Sequence, residues 1–100
     1  MPIPIRLSSE AERDAAEAMD YYERHARLGA AFLSELGQAM SRVAEQPMAY
    51  QVLYRGVRRT AMRRFPFGVF FLAGSDEAVV VAILHLARNP DAWSSRLGET

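Results

Sequence analysis

Residues 78–93 read AVVVAILHLARNPDAW, and this stretch decides the fold that we expect for the chain. Ala78–Leu84 is apolar throughout and lacks the polar alternation of a half-exposed strand, so it predicts a central strand covered on both faces. The Asn-Pro-Asp sequence at 89–91 supplies a helix cap, a proline for the first helical position and an acid for the first turn. A short C-terminal helix is therefore expected at about Pro90–Leu97.

Upstream of this stretch, the pattern predicts one short strand and two amphipathic helices. Ile3, Ile5 and Leu7 alternate as in a half-buried strand, and the neighbouring proline at position 4 favours a sheet edge. Apolar residues then recur at helical spacing over 11–26 and again over 32–43. Ser9 and Glu12 predict a capping box at the start of the first helix.

Two more strands follow the helices, at Val57–Met62 and Phe67–Ala73, and the turn sequence RFPFG separates them. The predicted order is β-α-α-β-β-β-α, which is an α+β fold. A helical hairpin is expected to pack on a small, mostly antiparallel sheet, with a short helix at the C-terminus.

Composition limits the classes of function. The chain has 100 residues, half of them apolar, which suits one packed domain over residues 1–100. It has no cysteine, and its two histidines, His25 and His85, are far apart, so neither a disulfide framework nor a zinc site is expected. No segment resembles a signal peptide or a membrane span. We therefore expect a cytoplasmic protein with no metal, no cofactor and no membrane partner.

Charge is unevenly distributed, although the formal net charge is zero. The segment from Gln46 to Ser75 contains no acidic residue but five arginines, Arg55, Arg58, Arg59, Arg63 and Arg64. Such a segment suits an anionic partner, either a nucleic acid or an acidic protein segment. The alternative is a compositional bias, since the chain contains no lysine and is rich in alanine.

The residues after the central strand are candidates for a functional site. His85 closes that strand and could act as a general acid or base, or it could simply hydrogen-bond a backbone carbonyl. Arg88 and Arg96 could hold a phosphate or a carboxylate through paired hydrogen bonds, or they could pair with Asp91 or Glu99 at the surface. Trp93 is either a core residue or an exposed anchor for a partner.

Three segments carry a resemblance to a known family. GVRRTAMRRFPFGVFF (56–71) and AVVVAILHLARNPDAWSSR (78–96) resemble the RelE/ParE superfamily of toxins in bacterial type II toxin–antitoxin modules. SSEAERDAAEAMDYYERHA (8–26), with Tyr21 and Tyr22, is similar to the first helix of ParE-type members. The resemblance covers nearly the whole chain, and its most specific parts are the Arg-Phe-Pro-Phe turn and the His-x2-Arg-x-Pro-x2-Trp-x2-Arg ending.

This resemblance implies a toxin that a cognate antitoxin holds inactive in a hetero-oligomer, with a ParD-like antitoxin of the ribbon–helix–helix type and a role in plasmid stabilisation. RelE-like members cut messenger RNA on the ribosome, whereas ParE-like members inhibit DNA gyrase. The chain departs from the RelE pattern because it has no lysine and no tyrosine after Tyr54. The ParE-like branch is therefore expected, with gyrase as the target and no catalytic residues.

Two alternatives stay open: a RelE-like endonuclease that uses His85, Arg59 and Arg88, or an inactive toxin that only binds its antitoxin. The residues expected to bind the target or the antitoxin are Arg58, Arg59, Arg63, Arg64, His85, Arg88, Trp93 and Arg96. The C-terminal helix is expected to matter more for toxicity than for folding, so deletion of residues 93–100 should leave a folded domain.

Overall fold

A five-stranded sheet forms around the apolar run at Ala78–His85. The computed structural model describes residues 1–97, and its strands are β1 (Ile5–Leu7), β2 (Val52–Tyr54), β3 (Val57–Ala61), β4 (Phe67–Ala73) and β5 (Ala78–His85). Its helices are α1 (Ser9–Ala26), α2 (Gly29–Glu45) and α3 (Asp91–Ser94). The strands lie in the order β1-β5-β4-β3-β2, with β1 parallel to β5 and the other pairs antiparallel. The expected α+β fold and the order of the predicted elements are confirmed, with one additional strand, β2.

The helical hairpin covers one face of the sheet and forms the larger core. Its apolar stripes, at Ala11, Ala15 and Ala18 on α1 and at Phe32, Leu36, Ala39 and Val43 on α2, are buried as their spacing predicts. They pack against residues of β4 and β5 that include Val69, Phe71, Val80 and Ile83. The small alanines of α1 let this helix lie close to the sheet.

The opposite face of the sheet carries a smaller second core. Val57, Phe70, Ala82, Leu84 and Trp93 form it, and the C-terminal segment covers it. Strand β5 lies between β1 and β4 and contributes residues to both cores. The expected central strand with two covered faces is therefore confirmed.

The C-terminal helix begins one residue later than the Asn-Pro-Asp sequence predicts, because Pro90 rather than Asn89 is the N-cap of α3. Asn89 Oδ1 accepts a hydrogen bond from the backbone N–H of Asp91 at 2.9 Å, and α3 is followed by a single 3₁₀ turn at Ser95–Leu97. The expected helix is thus two short turns, which together span residues 91–97.

Strand β2 was not expected from the sequence. It joins β3 through a two-residue turn in which Arg55 and Gly56 both have positive φ angles, of 51° and 83°. Two consecutive positive φ angles are typical of a type I′ turn, which matches the right-handed twist of a hairpin. Glycine adopts this conformation without strain, whereas Arg55 adopts it at some cost.

The cap of α1 differs by one residue from the expected one. Ser8, not Ser9, is the N-cap, and its Oγ accepts a hydrogen bond from Ala11 N–H at 3.1 Å. The N–H of Ser8 donates to Val80 O at 2.9 Å, so the pairing of β1 with β5 fixes where the helix begins. The predicted capping box of Ser9 and Glu12 is therefore wrong.

Within residues 1–97, no helix is both long enough and apolar enough to cross a lipid bilayer.

Candidate functional site

A cleft of about 490 Å³ opens over the second core, on the sheet face away from the helical hairpin. Its apolar lining includes Phe70, Leu84 and Trp93, and its polar lining includes Arg59, His85 and Arg88. Tyr54, from the edge strand β2, and Asp91, from α3, complete the polar part of the wall. An apolar surface with a few charged groups around it is typical of a binding site.

Strand register places Arg59 and His85 around this cleft. Arg59 on β3 pairs with Phe70 on β4, and His85 at the end of β5 pairs with Phe67. Gly68 lies between these positions, and a Cβ atom there would come within 2.8 Å of Leu86 Cδ2 and 3.2 Å of Arg59 Cδ. The absence of a side chain at Gly68 therefore lets the side chains of Arg59 and Leu86 lie directly over β4.

The imidazole of His85 is exposed, and a backbone hydrogen bond fixes its tautomer. Its Nδ1 accepts from the N–H of Ala87 at 3.0 Å, and its ring packs edge-on against Phe67 with centroids 5.6 Å apart. A backbone N–H can only donate, so Nδ1 must hold its lone pair there, and in the neutral ring Nε2 carries the proton. The lone pair that a general base needs is thus already engaged. The observed partner is an N–H group rather than the expected carbonyl.

Trp93 belongs to the core. Its residue exposure is 6%, its ring stacks on Phe70 with centroids 5.2 Å apart, and the Tyr54 ring meets it edge-on at 6.4 Å. Of the two interpretations of this residue, the structure favours packing over an exposed anchor. Because Trp93 also lines the cleft, it fixes the shape of that surface.

The five arginines of the acid-free segment do not form one patch. Arg58 turns away from the cleft and donates to the carbonyls of Tyr50 at 2.5 Å and Met48 at 3.4 Å, so it holds the preceding loop. Arg63 and Arg64 follow β3, in the connection to β4, and the Arg64 guanidinium lies over the Phe65 ring. Of the eight expected binding residues, the cleft brings together Arg59, His85, Arg88 and Trp93.

Arg96 is engaged with a residue from the other end of the chain. It forms two hydrogen bonds with the carboxylate of Asp14 on α1, at 2.6 and 3.0 Å. The hydrogen bond with Asp14 raises the pKa of the Arg96 guanidinium above its ordinary value, although burial acts in the opposite direction. Asp14 was not among the predicted functional residues, and Arg96 pairs with it rather than with Asp91. Glu99, the other partner considered for Arg96, lies outside the described residues.

A second cleft, of about 280 Å³, lies on the α1 side of the end of β5. It is lined by residues of α1 that include Glu17 and Tyr21, and it shares His85 and Arg88 with the first cleft. These two side chains therefore border both clefts. In the described part of the chain, no three His, Cys, Asp or Glu residues are grouped so that they could hold a metal ion.

Comparison with known proteins connects this architecture with a family. A family model for the ParE toxin of the type II toxin–antitoxin system parDE matches residues 5–90. A solved structure of a chromosomal ParDE system from P. aeruginosa is similar to the chain with a TM-score of 0.74 and 16% identity, covering 83% of this chain and 95% of that chain. No curated protein sequence matches the chain significantly.

A second solved structure shares the fold at lower similarity. It is the toxin–antitoxin complex RelBE2 from Mycobacterium tuberculosis, with a TM-score of 0.61 and 15% identity, covering 85% of this chain and 99% of that chain. At these identities the two structures show a common fold, so the expected RelE/ParE-like fold is confirmed.

Proposed function

The chain belongs to the ParE toxin family of type II toxin–antitoxin systems, and from that premise we propose that it inhibits DNA gyrase by binding this enzyme. The observation that carries the proposal is the make-up of the first cleft. Its apolar lining and its arginines suit the binding of a protein segment better than the transfer of protons. The proposed site residues are Arg59, His85, Arg88 and Trp93.

The chemistry of the cleft indicates what the bound segment looks like. Arg59 and Arg88 carry fixed positive charges beside the apolar surface of Leu84 and Trp93. Such a surface fits a segment that presents an acidic side chain next to an apolar one. An acidic, partly apolar surface of gyrase would satisfy both requirements.

RNA cleavage is the second candidate, and one observation favours it. Arg59, His85 and Arg88, the three residues that an endonuclease would use, line the same cleft. Cleavage needs a base for the 2′-hydroxyl and an acid for the leaving oxygen, in addition to cations for the phosphate. Arginine stays charged and is a poor proton donor, and Nδ1 of His85 is already bonded to Ala87 N–H. The cleft therefore supports this function less well than binding.

We also propose that a ParD-like antitoxin of the ribbon–helix–helix type neutralises the toxin in a hetero-oligomer. The support is the segment from Gln46 to Ser75, which has no acidic residue, together with the sheet edge formed by β2. Val52 and Tyr54 on this edge are half-exposed. An acidic segment that folds on binding could cover this charge and apolar surface together.

Supercoiling by purified gyrase, with and without the toxin, is the test of the main proposal, and primer extension on translated messages is run in parallel. We expect inhibition of supercoiling and no message cuts. Arg59→Ala should weaken inhibition, while Arg13→Ala, a control on the exposed face of α1, should not. Ribosome-dependent cuts that disappear in His85→Ala, with supercoiling untouched, would establish the endonuclease instead. If the toxin neither inhibits supercoiling nor causes message cuts, it is inactive.

Co-expression with the product of the neighbouring gene tests the antitoxin proposal. We expect a stable complex that tolerates salt and restores growth, because apolar contacts persist when charges are screened. A toxic effect that the neighbour's product leaves unchanged would contradict the proposal.

A further inference from the structure

The free half of β5 is the feature from which this inference begins. Strand β1 pairs with β5 only as far as Leu7 and Val80. At the next residue the register between β4 and β5 shifts, because Phe71 pairs with Val80 while Phe70 pairs with Ala82. Val81 is therefore the extra residue of a β-bulge. Beyond Val80, no described strand lies on this side of β5, so its backbone groups need other partners.

Two side chains take the place of the missing strand. Asp14 Oδ2 accepts from the N–H of Ile83 at 3.0 Å, and Arg96 Nη1 donates to the carbonyl of Val81 at 3.1 Å. Asp14 and Arg96 also bind each other through two hydrogen bonds, and their side chains are only 7% and 20% exposed. We call this pair the clasp.

The clasp connects the two layers that cover the sheet. Asp14 lies on α1, in the layer with the larger core, whereas Arg96 follows α3, in the layer with the second core. Between β5 and Leu97 the structure has one turn of α-helix and one 3₁₀ turn, and helical turns this short are not stable without tertiary contacts. Its described anchors include the stacking of Trp93 on Phe70 and the clasp.

A buried ion pair of this kind contributes little net stability compared with a well-packed apolar pair. Its effect is instead to specify one geometry, because the planar guanidinium donates two parallel hydrogen bonds to a carboxylate in one orientation only. Trp93, which lies three residues before Arg96, lines the first cleft. The clasp therefore fixes the part of the chain that closes this cleft.

We propose that Asp14 and Arg96 are positioning residues for the first cleft: they hold the C-terminal segment so that Trp93 keeps its place in the cleft wall. Neither residue needs to touch the bound target. The consequence for target binding rests on the proposed function, whereas the consequence for the position of Trp93 does not.

Trp93 is the only tryptophan of the chain, so its fluorescence reports its own environment. We would compare acrylamide quenching in the intact chain with that in Asp14→Asn, Arg96→Met and the double variant, and follow the overall fold by far-UV circular dichroism. Arg6→Met is the matched control, because Arg6 forms an exposed ion pair with Glu77, with side chains 61% and 44% exposed. We expect quenching to rise several-fold in both single clasp variants and not in the control, with the far-UV spectrum unchanged.

The rise in the double variant should be smaller than the sum of the two single rises, because both changes remove the same contact between Asp14 and Arg96. Arg96→Lys keeps the charge but loses the two parallel hydrogen bonds, so its quenching should be intermediate. It also provides the measurement if Arg96→Met does not fold. Quenching at the level of the intact chain in the folded clasp variants, or an equal rise in Arg6→Met, would overturn the proposal.

Inhibition of gyrase gives the functional measurement. If the docked fraction of the C-terminal segment falls to about one tenth, the toxin concentration for half-inhibition rises about tenfold, while full inhibition is still reached at saturation. A folded clasp variant with raised quenching and unchanged half-inhibition would overturn the claim that the clasp serves the cleft. If the intact toxin does not inhibit gyrase, the proposed function fails, and the quenching result alone decides whether the clasp positions Trp93.

Discussion

Replacement of Trp93 by alanine tests whether this residue belongs to the core, because a core residue and an exposed anchor predict different losses of stability. The ring is 6% exposed and stacks on Phe70, so its removal leaves a cavity in the second core. A buried tryptophan replaced by alanine costs about 3–5 kcal/mol. A domain of this size has a free energy of unfolding of about 5–15 kcal/mol, so the loss is a large fraction of the total.

Urea unfolding followed by far-UV circular dichroism measures this loss, because the signal does not depend on the tryptophan. With a slope of about 1–3 kcal/mol per molar urea, the midpoint should fall by at least about 1 M. Trp93→Phe should lose less, about 1–2 kcal/mol, because a ring can still stack on Phe70. Met48→Ala, at a residue that is 65% exposed, is the control and should change stability by less than about 0.5 kcal/mol.

A loss below about 1 kcal/mol in Trp93→Ala, with an unchanged slope, would refute the assignment of this residue to the core. The sequence-based expectation for the deletion of residues 93–100 changes accordingly. That deletion removes Trp93 and Arg96 together, so the structure predicts loss of the cooperative unfolding transition rather than a folded domain.

Three further changes test local features of the fold. Gly56→Ala should destabilise the β2–β3 hairpin by about 1 kcal/mol in urea unfolding, because the residue has a φ of 83°. Ser8→Ala should cost about 1 kcal/mol through loss of the N-cap, whereas Ser9→Ala should be nearly neutral; the reverse result would restore the cap predicted from the sequence. Burial and the neighbouring Tyr21 raise the pKa of Tyr22 above its ordinary value of 10.0. Above about pH 10 the unfolded chain therefore loses this proton first, so stability should fall as pH rises, and less steeply in Tyr22→Phe than in the intact chain.

The sequence predicts the layers of the fold because each layer depends on a local pattern. The unbroken apolar run at Ala78–Leu84 needs cover on both faces, and the helical stripes of α1 and α2 supply it on one side. Strand β2 could not be predicted from such a pattern, because it has only three residues. Its turn also contains Arg55, where asparagine or glycine is more usual. The positive φ at both turn positions appears only in the structure.

The candidate site is harder to predict, since its parts come from distant segments. The clustering of five arginines suggested one basic face, yet alternation along β3 sends Arg58 and Arg59 to opposite sides of the sheet. Asp14 looks like a member of the charged face of α1, but it is buried because it binds the N–H of Ile83 and the guanidinium of Arg96 where β1 no longer covers β5. Its spacing from Ala11 and Ala18 places it beside the buried stripe of α1, but no local signal shows which distant backbone group it binds.

The parallel pairing of β1 with β5 has a consequence for synthesis of the protein on the ribosome. The first strand needs residues 78–80 to pair, and the contact between Asp14 and Arg96 spans 82 positions of the chain. Contacts between such distant positions form late in folding, because the long intervening loop must first be closed. While residues 78–96 are still inside the exit tunnel, the nascent chain can form its helical hairpin but not its complete sheet. The complete fold of the described residues therefore forms only after Arg96 has left the exit tunnel.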